Sequence, residues 1–432
     1  MKHLLLTSAL IAGALSAAGE TWSLDSCISY AVEHNITVKS RRNDVASSQQ
    51  SVTDAKSRYL PTLSANAGQS WNLGRGLTAE NTYADRNTSN FQWGASFNLP
   101  VFSGLSTTRQ VAYAKANLAT VIEQYEAAKD DISLNVITAY LQVLYCKELH
   151  EVASGQVELS QYELSRREAL LEAGKIPEID MLEAKSQLAQ DELNKTQTAN
   201  DTRLALVDLA QLLELDDING FDIAPLDDES AIMMMTPDDV YAAALQHNHS
   251  ILAARNGITA SEKNISLART GYIPTVNFNA GLGSSYYKIS GIPNDTFGKQ
   301  MKNNYSTYFG FSLNIPIFDA FNTRNSINRA KVQSVNARLQ YDDACQRLFK
   351  TIQQVYYQAD GARHKLSAGK VAEETAVKAF EAMREKYNLG RATPSEYEQS
   401  KTKALRATAE RIQAGYELIL RTRLLEYYAN PH

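Results

Sequence analysis

The sequence predicts a mainly α-helical chain with a transmembrane β-hairpin pair: two tandem copies of a long helical hairpin, with four β-strands in all. Three observations predict it. The chain is written twice, each copy holds one proline-free helical run too long for a globular core, and each copy carries two alternating segments with one strongly apolar face.

The duplication sets the frame. Residues 25 to 68 align with 238 to 281 at a constant offset of 213, matching His34-Asn35 with His247-Asn248 and "YLPT" from Tyr59 with "YIPT" from Tyr272. From Gly94 the offset is 216: "FNLPVF" from Phe97 meets "LNIPIF" from Leu313, Tyr140 meets Tyr356, and Gly174 meets Gly390. The extra residues lie between 282 and 309, where two strands are joined and insertions are tolerated. The two repeats are residues 19–215 and 236–432, joined by an acidic, irregular linker, 216–235, expected to lie outside the helical wall around its middle.

The elements follow in chain order. Lys2, the apolar run from Leu4 to Leu15, and small residues at Ser16 and Ala18 read as a secretory signal, residues 1–18, cut after Ala18. Each repeat then opens with a helical stretch, 24–57 or 237–269, that ends at Tyr-Leu-Pro or Tyr-Ile-Pro. Strands are expected at about 62–73, 91–101, 275–287 and 305–317. In the second of these, Phe91, Trp93, Ala95, Phe97, Leu99 and Val101 share one side while Gln92, Gly94, Ser96 and Asn98 share the other. Pro61, Pro100, Pro274 and Pro316 stand at strand ends, where a missing backbone donor is tolerated.

After each hairpin comes a run without proline, 104–173 and 320–389. In the first, Val111, Leu118, Ile122, Tyr125, Ile132, Val136, Ala139, Val143 and Cys146 recur in steps of three, four and seven, a coiled-coil period. A helix of about 69 residues is on the order of 100 Å long, more than one globular domain can bury. Gly174 and Gly390 are C-cap candidates, and return helices follow at 177–213 and 394–428.

The apolar strand faces need a partner that helices packed on one another do not supply. Segments of ten to twelve residues cross a tilted bilayer, and Trp71, Phe91, Trp93, Tyr286, Tyr287 and Tyr305 gather at their loop-side ends like an interfacial girdle. The apolar face is therefore expected to rest on lipid. A sheet in lipid cannot leave an edge unpaired, because each unsatisfied backbone group costs several kcal/mol. Four strands are too few, since the smallest barrels have about eight, so closure demands further copies, and three chains supply twelve strands.

At these residues the chain resembles the TolC-like outer membrane efflux protein family. The resemblance covers the whole mature chain. It rests on the duplication, the "YLPT" and "YIPT" segments, "FNLPVF" and "LNIPIF", and the helix-turn-helix tips "AGKIPEIDMLEAK" from Ala173 and "LGRATPSEYEQSK" from Leu389. It implies a homotrimer with one 12-stranded β-barrel in the outer membrane on a 12-helix tunnel through the periplasm. It further implies a passive exit duct of tripartite efflux pumps or type I secretion systems. The implied partners are a periplasmic adaptor (membrane fusion) protein and an inner-membrane transporter of RND or ABC type, with no catalytic activity and no cofactor.

The resemblance also places a gate. A turn aspartate six residues after the first glycine and a tyrosine three before the second hold the family's periplasmic end closed; here these are Asp180 and Tyr387. Glu396, six after Gly390, takes the place of the family's ring of carboxylates at the aperture, while the tips around Gly174 and Gly390 are the adaptor-docking turns. The sequence departs from the pattern at Ala392, where arginine is common and Arg391 stands one place earlier, and at Gln399, where a second acidic residue is common.

Other chemistry finds no motif. Cys27, Cys146 and Cys345 have neither disulfide-framework nor zinc-ligand spacing, and His247 with His249 lacks a third ligand, so no metal site is expected. A net charge of −5 argues against nucleic acid, and no run of about eighteen apolar residues forms a transmembrane helix. Two other classes fit parts of the pattern: a trimeric surface adhesin, which would carry its barrel once at the C-terminus, and a periplasmic coiled-coil scaffold.

Overall fold

The computed structural model describes residues 21–77, 81–226 and 235–430. The signal-peptide reading, 1–18, and the linker from 227 to 234 lie outside the described residues. The first repeat runs α1 (Leu24–His34), α2 (Ile36–Ser57), β1 (Thr62–Asn72), β2 (Arg75–Leu77), β3 (Tyr83–Asp85), β4 (Thr88–Phe102), α3 (Ser106–Glu172) and α4 (Glu178–Leu212). The second runs α5 (Pro237–His247), α6 (His249–Ala268), β5 (Thr275–Ile289), α7 (Phe297–Asn303), β6 (Ser306–Asn314), α8 (Asn322–Asn388) and α9 (Pro394–Ala429).

Each opening helical stretch is two helices rather than one. Asn35 and Asn248 leave the helix with extended backbone, ψ 133° and 115°. At the first break the Asn35 side chain accepts from the Thr37 N–H at 2.8 Å and donates to the Leu212 carbonyl at 3.1 Å. Asparagine competes here with the helix for its own backbone groups, so the repeated His-Asn pair marks a break and not a helical interior.

The chain forms two compact units. One comprises Asn43–Gln124 and Ser250–Ala344 and holds the sheets. Its four strands lie antiparallel in the order β1-β4-β5-β6, so a strand of each repeat meets at the centre. Register puts like with like, because directly opposed residues share a face. Leu63, Phe97, Ala280 and Phe309 form one row, and Leu99, Phe278 and Phe311 the next. The other face carries Ser64, Ser96 and Gly281 in a row, with Ser64 and Ser96 hydroxyls 2.8 Å apart.

The strands depart from expectation in several places: β4 begins at Thr88 and not near 91, and β5 runs on to Ile289. Val101 is bulged between Pro100 and Phe102, so Phe102 takes the place opposite Val276. The last strand stops at Asn314 and not near 317, just ahead of Pro316, which has no N–H to donate.

The other unit comprises residues up to Arg42, Tyr125–His249 and Cys345–His432. Its core gathers Val136, Tyr140, Val143, Leu209, Leu213 and Ile223, with Cys27 and Cys146 buried among them. Burial pushes the Cys27 thiol up to about 12, so it packs as an apolar group and is no nucleophile.

At its described end the linker packs onto the helices. Trp22 N–H donates to the Asp222 carbonyl at 2.9 Å and Ala224 N–H returns to the Trp22 carbonyl at 3.0 Å. Ile223 is buried, Phe221 meets the Trp22 ring edge-on, and Lys147 pairs with Asp222. These residues therefore form part of the core, because their apolar positions Phe221, Ile223 and Leu226 outweigh the acidic composition around them. Tyr140 ties this segment down, its hydroxyl donating toward the Ala224 carbonyl at 2.6 Å and the Trp22 carbonyl at 3.1 Å. Tyr140→Phe is expected to cost about 1–2 kcal/mol by leaving buried acceptors short of a donor, read as a lower Tm in thermal unfolding.

Candidate functional site

Two regions carry the candidate residues: the helix tips and the loop-side end of the sheet. Both tips turn through a glycine with positive φ, 65° at Gly174 and 71° at Gly390. At the first, Gly174 N–H bonds the Leu171 carbonyl and Lys175 N–H the Leu170 carbonyl; at the second, Gly390 N–H bonds Tyr387 and Arg391 N–H bonds Lys386. This paired closure needs a left-handed residue after the last helical turn, which glycine adopts without strain.

The helices that leave the tips begin differently. α4 follows Pro177 with no side-chain cap. α9 is capped by a reciprocal box: Thr393 Oγ1 accepts from the Glu396 N–H at 3.2 Å, while the Glu396 carboxylate accepts from the Thr393 N–H at 2.8 Å and hydroxyl at 2.9 Å. The Thr-x-x-Glu spacing announces this cap, whereas the family resemblance assigns Glu396 an aperture role alone. The Thr393 N–H, then its hydroxyl, hold the Glu396 pKa below the usual carboxylate value. The carboxylate is thus charged and exposed at neutral pH, and its capping contribution is lost as pH falls through that lowered pKa. Arg391 is exposed as well.

Tyr387 is clamped within its own chain. Its ring stacks on Tyr397 with centroids 4.9 Å apart, and Tyr397 in turn meets Phe380 at 5.5 Å. The Arg166 and Arg167 guanidinium carbons each lie 5.6 Å from the Tyr387 ring centroid. Burial pushes the Tyr387 phenol up, and the positive charges of Arg167 and Arg166 oppose that shift.

Arg167, only 4% exposed, also donates to the Asp180 main-chain carbonyl at 2.7 Å. It therefore joins the α8 tip to the start of α4. Among the described residues there is no Tyr387 to Asp180 hydrogen bond, and Asp180 is held through its backbone. Sequence patterns do not single out Arg167 and Tyr397, because neither belongs to a motif that distinguishes it from the other polar and aromatic residues of the long helices.

At the sheet, Phe91 lies directly opposite Tyr286 and Trp93 opposite Ala67 and Ser284, while Trp71 sits near the end of β1, all on the apolar face. Tyr305 immediately precedes β6, and Tyr287, one residue from Tyr286, belongs to the opposite face. Phe297 of α7 adds a member that the strand alternation does not announce, its ring 5.8 Å from Phe91 and 5.2 Å from Tyr286. Farther along this face Phe309 is 79% exposed and Phe311 72% exposed.

Where β5 runs past the start of β6, amide side chains replace the missing strand. Asn304 donates to the Ser285 carbonyl at 2.7 Å, Gln300 both accepts from and donates to Tyr287, and Asn294 does the same for Ile289. That end of the β5 edge is thereby satisfied by its own loop.

Duplicated helical hairpins joined to a sheet with one exposed apolar face define a membrane-embedded protein with helical extensions. The family described as "Outer membrane efflux protein" matches residues 27–214 and 240–426, and the chain belongs to it. It is 22% identical over 425 residues to the outer membrane efflux protein BepC of Brucella suis biovar 1, covering 97% of this chain and 88% of that protein. With the outer membrane protein TolC of Vibrio cholerae serotype O1 it shares 24% identity over 430 residues, 97% and 93% of the two chains. The Campylobacter jejuni CmeC outer membrane channel superposes with a TM-score of 0.77 at 17% identity, over 99% of this chain and 93% of that one. The protein is thus an efflux protein of the outer membrane, in a family of transport ducts rather than enzymes. The adhesin and scaffold readings find no support in these matches.

Proposed function

We propose that three copies of this chain form a passive exit duct, a 12-stranded barrel in the outer membrane with a 12-helix tunnel in the periplasm, and that it performs no catalysis. One observation carries the reading: a four-stranded sheet whose outer strands β1 and β6 each pair on one side only among the described residues, with an apolar face left open. Lipid tolerates that face but not those edges, so the edges must meet in neighbouring copies. A periplasmic adaptor and an inner-membrane transporter, of RND or ABC type, complete the path, the adaptor docking on the turns at Gly174 and Gly390. Asp180, Tyr387, Arg391 and Glu396 line or hold the aperture.

Reconstitution in a planar bilayer tests this. The protein should run as a heat-sensitive trimer from outer-membrane fractions and form cation-preferring pores. Glu396→Gln is the informative variant, because glutamine also serves in a capping box and so removes charge while keeping the helix start. A lower cation-to-anion permeability ratio is expected, since carboxylates around one aperture focus a negative potential. An unchanged ratio places Glu396 in the cap alone.

A further inference from the structure

Deep among α3, α4 and α9 lies a polar cluster that neither the tips nor the sheet uses. Lys401 of α9 is 3% exposed, and its Nζ donates to Ser160 Oγ at 3.0 Å and pairs with Asp191 Oδ2 at 3.3 Å. The Asp191 carboxylate also accepts from Ser160, from Gln156 Nε2 at 3.2 Å and from Gln187 Nε2 at 3.0 Å. Gln156 and Ser160 stand on α3, Asp191 and Gln187 on α4. Glu398, one turn before Lys401, adds a weaker ion pair at 3.6 Å. The cluster thus clips a helix of the second repeat into a pocket made by both helices of the first.

The duplication shows that coiled-coil packing does not require it. At the offset of 216, Gln156, Ser160 and Asp191 correspond to Ala372, Ala376 and Ala407, and Lys401 corresponds to Lys185, which is exposed. The second repeat dispenses with every partner at once. What the cluster adds is register: dispersion and apolar burial resist separation but tolerate sliding, whereas a hydrogen-bonded ion pair has one arrangement.

We propose that Lys401 and Asp191 are positioning residues of the aperture, fixing the register of α9 on α3 and α4 as a second tie behind the Arg167–Tyr387 clamp. The proposal rests on the reading of the chain as a channel. Widening at the tip by moving the second-repeat hairpin past the first then begins when the clamp gives way and is complete only when the cluster gives way as well. With the clamp in place the two hairpins of a chain keep their resting register; without it the cluster limits how far they move.

Planar-bilayer conductance of four proteins tests it: wild type, Arg167→Ala, Lys401→Met with Asp191→Leu, and all three substitutions together. The paired apolar variant removes both charges, so no lone buried ion is left, and it should assemble heat-sensitive trimers as wild type does. It should conduct nearly as wild type, because the clamp remains. Added to Arg167→Ala, it should raise conductance severalfold above Arg167→Ala alone, a coupling that packing alone does not produce. Equal conductance of the triple variant and Arg167→Ala overturns the proposal. Loss of trimers in the paired variant also overturns it, by making the cluster an assembly element. Absence of pores in every protein, wild type included, removes the channel reading itself and is thereby distinguished from failure of the tie.

Discussion

Arg167→Ala is expected to raise the conductance of the reconstituted channel severalfold, more than Tyr387→Phe or Asp180→Ala does. The buried guanidinium serves both tips, donating to the Asp180 carbonyl at 2.7 Å and lying against the Tyr387 ring. A hydrogen bond from a charged donor contributes about 1.5–3 kcal/mol, and cation–π contact adds about 0.5–2 kcal/mol. Tyr387→Phe keeps the ring, its stack on Tyr397 and the cation–π contact. Asp180→Ala keeps the main-chain carbonyl that Arg167 uses. Arg167→Lys is not expected to restore the closed state, because a lysine point charge cannot reproduce the planar fork. Should Tyr387→Phe with Asp180→Ala conduct more than Arg167→Ala, the phenol-to-carboxylate latch suggested by the sequence forms between chains and dominates.

Phe309→Arg and Phe311→Arg are expected to cost about 2–4 kcal/mol each near the bilayer midplane and to deplete folded trimer in outer-membrane fractions. Both side chains lie on the exposed apolar face, in the rows of Ala280 and Phe278. Ser312→Arg, one residue away, should leave trimer yield close to wild type and alter conductance instead. Its side chain belongs to the polar face, where Asn279 donates to Ser312 Oγ at 3.0 Å. Equal loss of trimer at Phe311 and Ser312 contradicts the assignment of the two faces.

The same contrast explains what is legible in the sequence. Alternation alone places Phe97, Phe278, Phe309 and Phe311 on one face, because side chains of a strand point to opposite sides with a period of two. Absence of proline and a coiled-coil period mark α3 and α8, each 67 residues long, and the glycines at their ends mark the need for positive φ. The capping box at Thr393 and the breaks at Asn35 and Asn248 are equally local, open to a closer reading of the residues themselves.

By itself, then, the sequence determined the repeat, the elements and the faces they present, since these depend on hydrogen bonds and side-chain directions a few residues apart. Only the tertiary structure decided which polar groups meet. Lys401 and Ser160 are 241 positions apart, and Tyr140 and Trp22 are 118 apart. At such separations no periodicity links the partners, and Arg167, Asp191 and Lys401 each read in isolation as an ordinary solvated charge on a helix. Packing of α9 against α3 and α4 withdraws Lys401 and Asp191 from water, and a buried charge must then find its partners there.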